Sequence, residues 1–376
     1  MRAILDLIYF SQYPVHTTES LGAMDTALTQ FHENKHVLIK LGVRQHFNNI
    51  PKLHSLLHYT RSIQHFGTAD NYNTEQLERL HIDYAKKAYR ATNFKNEDKQ
   101  MMVYLERLGA IHQHAAFIDW CKGGQHSVLP TSPLVWPRQN WMFCPVLTRY
   151  PSETGINFEG LLNRHGALDF QDALADFIVQ HNYPGLSAAM AQRRANNTLL
   201  PFRRVSVFHK VKFVNPEVPD VGTVDAVHIR PEVRSRRGHT IPGRFDTVLV
   251  KNGGRIRVAQ IRVVFQFPKS AVSSIFLSSR PPPPVDLAYV EWFSPLSMPD
   301  VNHGMYRVSR SYRNNRRLAS VIPLSEVCRS VHLFPVFSPV EQWQSQTVLD
   351  ECRNFYVNPF LDRHMHQNLN TLSVNL

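Results

Sequence analysis

The run Phe245–Phe267, FDTVLVKNGGRIRVAQIRVVFQF, decides how the second half of this 376-residue chain is read. Two apolar, β-branched runs flank Asn252-Gly253, a dipeptide favoured in two-residue hairpin turns because both positions need positive φ. The apolar phase slips between Val258 and Ile261, which predicts a β-bulge. Outward from this hairpin, RRVSVFHKVKFV (Arg203–Val214) alternates, and LAYVEWF (Leu287–Phe293) and MYRVS (Met305–Ser309) read as further strands after the Pro281–Pro284 loop. Short strands with tight turns predict a small barrel, SH3-like or BAH-like, over residues 201–376. Arginines alternating with Ile and Val, such as Arg255, Arg257 and Arg262, are expected on the side away from the core. Phe208, Tyr289, Trp292 and Tyr306 read as core aromatics, with base stacking as the alternative.

The first 125 residues read as helices. In ESLGAMDTALTQFHENKHVLI, Leu21, Met24, Leu28 and Phe31 recur at spacings of three and four. PKLHSLLHYTRSI opens on Pro51, suited to a first helical turn, and carries Leu53, Leu56, Leu57 and Ile63 on one broad face. TEQLERLHIDYAKKAYRAT has the stripe Leu77, Leu80, Tyr84 and Ala88, and residues 97–120 make another helix. A Gly/Pro/Ser-rich stretch from residue 121 predicts a linker, and residues 126–200 as a whole read as linker plus short helices such as ALDFQDALADFIVQ. The fold class is therefore α+β: a helical bundle followed by a strand-rich domain.

The formal net charge of +12 is unevenly placed. Residues 1–200 hold 19 Lys+Arg against 17 Asp+Glu, whereas residues 201–376 hold 23 against 13. A basic domain suits a polyanion, because neutralising phosphates releases counterions; plain solubility is the competing explanation. Four scattered cysteines lack zinc spacing and point to reduced, intracellular thiols. No stretch approaches 18 consecutive apolar residues, so no membrane partner is expected.

Beyond these patterns, the stretch His46–Asn93 carries IPKLHSLLHY (Ile50–Tyr59), FGTADNYNTE (Phe66–Glu75) and ERLHIDYAKKAYRATN (Glu78–Asn93). Together they resemble a block near the end of fungal Plavaka transposases, relatives of the CACTA/EnSpm DNA transposons. The resemblance continues through DFQDALADF, PFRRVSVFHKVKF, AYVEWFSP, NHGMYRVSRS and FYVNPFLDRH. It implies the C-terminal portion of a DDE transposase. The helices would be the insertion and last helix of an incomplete RNase H-like domain, and the location nuclear.

That family chemistry is Mg²⁺-dependent cleavage and strand transfer at transposon ends, with two Asp and one Glu gathering two metal ions. The resemblance assigns the Glu, catalytic and metal-binding, to Glu78; Glu75 is the rival, and both are also ordinary acids for a helix N-terminus. Asp6 and Asp25 lie in helical sequence and do not match the family's two Asp, so the chain alone is expected to be catalytically incomplete and not to hold Mg²⁺ stably. His54 and His58, four apart, are a weaker metal candidate. Arg79, Lys86, Lys87 and Arg90 form a candidate phosphate-binding stripe, or else a solvated helix face. In the basic half the nucleic-acid candidates are Arg234, Arg236, Arg237, Arg255, Arg257, Arg313, Arg316 and Arg317. The expected partner is DNA; a chromatin protein or a second copy of the chain are alternatives, the former making this a domesticated binding module without nuclease activity.

Overall fold

The computed structural model describes residues 2–47, 50–71, 74, 78, 80–122, 144–214, 223–234, 238–337 and 343–374. It divides into two units, Met1–Gln139 and Asn140–Leu376. The chain is α+β, with helices first and antiparallel sheets after. Among the described residues no helix is long and apolar enough to cross a membrane.

The first unit is helical because its apolar residues fall on one face at helical spacing. Thr17 caps the helix Thr18–Asn34 in a reciprocal box with Ser20. Met24 and Leu28 from that helix pack against Leu7 of Arg2–Ser11 and Ile63 of Tyr59–Phe66. Pro51 opens the helix Pro51–Leu56, as its fixed φ favours. The stripe expected on Leu80, Tyr84 and Ala88 is only partly realised: Ala88 is buried, but Leu80 and Tyr84 are exposed. The backbone over Ile82–Lys86 is a π-turn, whose extra residue per turn shifts the phase on which the stripe depends. Leu77 lies outside the described residues. The long helix Glu97–Lys122 exposes Met102, Ile111, Phe117 and Trp120.

The second unit begins within the stretch expected as linker. Strands β1 (Cys144–Leu147) and β2 (Glu153–Asn157) precede the helices Phe158–His165, Phe170–Asn182 and Ala188–Asn196. Then come β3 (Arg204–Val207), β4 (Lys210–Val214), β5 (Thr223–Arg230), β6 (Val233–Arg234), β7 (Thr240–Ile241), β8 (Arg244–Phe245), β9 (Thr247–Asn252) and β10 (Arg255–Gln266). After the helix Lys269–Ile275 follow β11 (Asp286–Pro295), β12 (Arg307–Ser309), β13 (Tyr312–Arg313), β14 (Arg316–Arg317), β15 (Ala319–Pro323), β16 (Val327–Ser330) and β17 (Leu333–Pro335). The helix Val348–Glu351, β18 (Asn354–Val357) and the helix Arg363–Val374 complete it.

The central hairpin forms where the sequence predicts, one residue on. Asn252 pairs with Arg255, and Gly253-Gly254, both at positive φ, make the two-residue loop. β10 is long enough to serve two neighbours on one edge, β9 along Arg255–Gln260 and β3 at Phe265–Gln266, while β11 runs along the other edge. The β10–β11 ladder shifts register twice, once between Arg257 and Ala259, at the edge of the expected slip, and once just beyond it, where Arg262 is the extra residue between Ile261 and Val263.

The expected SH3-like or BAH-like barrel does not close among the described residues. A four-stranded sheet, β1-β4-β5-β8, instead faces a seven-stranded one, β15-β11-β10-β3-β2 with β9 and β16 attached. Between them lies the largest core, with Val211, Phe213 and Ile229 from one sheet and Ile261, Val290 and Trp292 from the other. The opposite face of the larger sheet carries a second core under the helices Phe158–His165 and Phe170–Asn182, and a third under the strands β12-β18-β17 and the C-terminal helix. A sheet buried on both faces explains why LAYVEWF is apolar at every position but Glu291. Phe208, Tyr289, Trp292 and Tyr306 are all buried in these cores.

Candidate nucleic-acid interface

In the helical unit, Glu78 is exposed; its backbone N–H donates to the Thr74 carbonyl at 2.9 Å and Thr74 Oγ1 donates to its carboxylate at 3.5 Å. Glu75 and Arg79 lie outside the described residues. Asp6 is engaged by Arg2 at 3.0 Å, and Asp25 accepts from Thr60 at 2.6 Å. His54 and His58 meet edge to face one turn apart, with their Nε2 atoms 3.3 Å from each other. Among the described residues no three His, Cys, Asp or Glu side chains come together to hold a metal ion. One exposed carboxylate does not supply the oxygen donors Mg²⁺ requires, so these residues do not by themselves fit the metal centre that the sequence resemblance implies. Lys86, Lys87 and Arg90 are exposed, just where the π-turn gives way to the helix Lys87–Arg90.

In the strand-rich unit the predicted cations part company. Arg234 and Arg255 are exposed, and Arg236 and Arg237 lie outside the described residues. Arg257 is turned inward: its guanidinium lies over Trp292 at 4.8 Å and donates to the Phe293 carbonyl at 2.6 Å. Arg313, Arg316 and Arg317 are brought close by a hairpin whose two-residue loop, Asn314-Asn315, has positive φ at both positions, a conformation that asparagine tolerates. Their guanidiniums meet acids. Arg316 pairs with Asp169 at 2.8 Å, and Arg317 pairs with Glu291 at 2.9 Å and Asp350 at 2.7 Å. Arg313 bears on Asp176, whose carboxyl is nonetheless raised, because burial outweighs that cation and Asp172 adds to the shift. Asp169, Asp172, Asp176, Arg313, Arg316 and Arg317 together line a groove of about 480 Å³.

Arg317 opens onto a buried charge network that sequence patterning did not predict. Glu291, 2% exposed, sits in the middle of β11 between two apolar cores. It receives Arg262 Nε at 3.2 Å and Arg317, with Arg310 Nη1 at 3.6 Å, an ion pair too long for a hydrogen bond. Asp350 receives Arg262 and Arg317 from the other side. Arg310 also donates to Gln260 and to the Leu349 carbonyl, and lies over the Phe293 ring at 4.4 Å. Burial pulls Arg310 down to about 10, with Arg317 adding and Glu291 opposing. Burial alone would raise the Asp350 carboxyl, but Arg262 and Arg317 outweigh it and hold it below the usual range. The signal available in the sequence was a single Glu inside LAYVEWF, a charge where both neighbouring phases are apolar.

A second buried group is His165, 1% exposed, whose Nδ1 lies 3.2 Å from the Arg262 carbonyl. Burial lowers it to about 4, against that hydrogen bond and with His209 and Arg164 adding to the fall. The unfolded chain then binds a proton between about pH 6.5 and pH 4 that the folded chain refuses. This contribution to stability is complete above pH 6.5 and lost as the pH falls to about 4, by up to about 3 kcal/mol. Denaturant unfolding at stepped pH should show the loss, and His165→Gln should remove that part of the slope; an unchanged slope would contradict the neutral, buried state.

Family models, curated proteins and solved structures provide no match to this chain.

Proposed function

We propose that this chain is a transposase-derived, DNA-contacting protein of the nucleus, its helices related to the last part of an RNase H-like domain. The observation that carries this reading is the sequence blocks from His46 to Asn93, joined to a basic surplus concentrated in residues 201–376. Glu78 is the acid nominated as the third metal ligand of Mg²⁺-dependent strand cleavage; the two Asp of that set have no counterpart at Asp6 or Asp25, which hold Arg2 and Thr60. Contact with DNA at transposon ends therefore comes before cleavage in the reading.

A chromatin- or protein-binding module is the second reading. It is favoured by the pairing of Arg316 and Arg317 with carboxylates, which removes them from phosphate contact.

The two readings differ in salt dependence. Phosphate contact releases counterions, so log affinity for a duplex should fall linearly with log salt, by about 0.9 per phosphate neutralised. Titrating the protein with labelled duplex across a salt series should give a slope steeper than about −3. A flat response would replace the DNA reading with a protein-binding one.

A further inference from the structure

The four-stranded sheet β1-β4-β5-β8 has one face in the core and the other in solvent. Its register settles which residues share the outer face. Lys210 pairs with His228 and Lys212 with Ala226 across β4 and β5, and Arg230 pairs with Arg244 across β5 and β8. Directly paired residues point to the same side, and every second residue repeats it. Lys210, Lys212, His228, Arg230 and Arg244 therefore stand together, while Val211, Phe213, Val227 and Ile229 point into the core.

This charge is largely uncommitted. Lys210 and Lys212 are exposed and make no ion pair among the described residues, and the buried Nε of Arg230 has no hydrogen-bond partner. Against these cations stand Asp246, which accepts from Arg244 at 2.8 Å and from the His228 amide at 2.8 Å, and Glu232, exposed just past β5. The arginines singled out from the sequence at 316 and 317 are neutralised by acids; on this sheet Arg244 is paired with Asp246, while Lys210, Lys212 and Arg230 make no ion pair among the described residues.

The shape narrows the partner. Side chains on this face stand about 6–7 Å apart along a strand and about 5 Å across strands, within reach of adjacent backbone phosphates for flexible Lys and Arg. The edge strand β1 adds Cys144 and Val146 to the same side, and among the described residues the face presents no Phe, Tyr or Trp ring. Single-stranded nucleic acid is usually held by aromatic stacking platforms, which this face lacks. We propose that the outer face of this sheet is a docking surface for the phosphate backbone of double-stranded DNA, with Lys210, Lys212 and Arg230 as its main contacts.

This rests on the DNA-contact reading above, and the test separates the two. The full chain, the triple variant Lys210→Gln/Lys212→Gln/Arg230→Gln and a control at two other exposed lysines, Lys251→Gln/Lys269→Gln, are titrated with a labelled duplex of about 20 base pairs. Circular dichroism melts check that each variant is folded, and Lys210→Gln/Lys212→Gln serves if the triple variant is not. The expected result is a loss of about tenfold or more in affinity for the triple variant near 0.1 M salt, a salt slope shallower by about 2–3, and a control close to wild type. Wild-type binding that survives in the triple variant overturns the sheet face and leaves the DNA reading standing. Folded wild type that binds no duplex overturns both. Binding of poly-glutamate as tightly as duplex, lost in the same variant, overturns DNA as the occupant and assigns the face to an acidic protein.

Discussion

Glu291→Gln should lower the stability of the strand-rich unit by about 3–5 kcal/mol, read from the midpoint of denaturant unfolding. The carboxylate is 2% exposed and shared by Arg262, Arg310 and Arg317. The amide keeps the shape and removes the charge, which leaves guanidiniums buried in a low dielectric with Asp350 as their remaining acid. The charge loss costs more than an ordinary surface pair because water cannot enter to replace it. Asp350→Asn should cost less, about 1–2 kcal/mol, since that carboxylate is nearly half exposed and solvent can take its place. Equal losses in the two variants, or a loss under about 1 kcal/mol for Glu291→Gln, would show that the network is not closed to water.

Phe170→Ala should cost a similar amount, about 3–5 kcal/mol, by opening a cavity between helix and sheet. Phe170 begins the helix Phe170–Asn182 and is 2% exposed. Its ring meets Phe265 at 5.0 Å, Phe158 at 5.5 Å and Tyr289 at 5.7 Å. It thus ties two helices to β10 and β11 at one point, and the neighbouring rings cannot collapse into the space without leaving their own contacts. Phe170→Leu should recover most of the loss, to within about 1.5 kcal/mol of wild type. A Phe170→Ala variant with an unchanged unfolding midpoint would mean that the helix does not pack on the sheet as described.

These two residues mark what was and was not legible. Phe170 stands in ALDFQDALADFIVQ, where the helical period already identifies an apolar face. Glu291 stands in LAYVEWF, and no local rule says that three arginines far along the chain will close on it. The same limit explains the other departures. Arg257 and Arg262 alternate with apolar residues, which predicts a solvent face when only one side of a sheet is covered; here both sides are covered, Arg257 lying on the side of Val250 and Trp292 and Arg262 on the side of Glu291. A phase slip was visible between Val258 and Ile261, but the bulge just beyond it at Arg262, which aims a cation at Glu291, was not. Barrel closure likewise depends on whether edge strands meet, which strand length and turn type do not settle.

What the chain determines locally is therefore its helical first part, the hairpin loop at Gly253-Gly254, the capping of Thr18–Asn34 and the placing of aromatics in cores. These follow from backbone sterics and from period, both properties of a few consecutive residues. Tertiary structure decided which cations are spent on buried acids and which remain on the outer face of the four-stranded sheet. Charge is long-ranged and depends on distance through space, so its partners are set only when layers distant in sequence come to lie against one another.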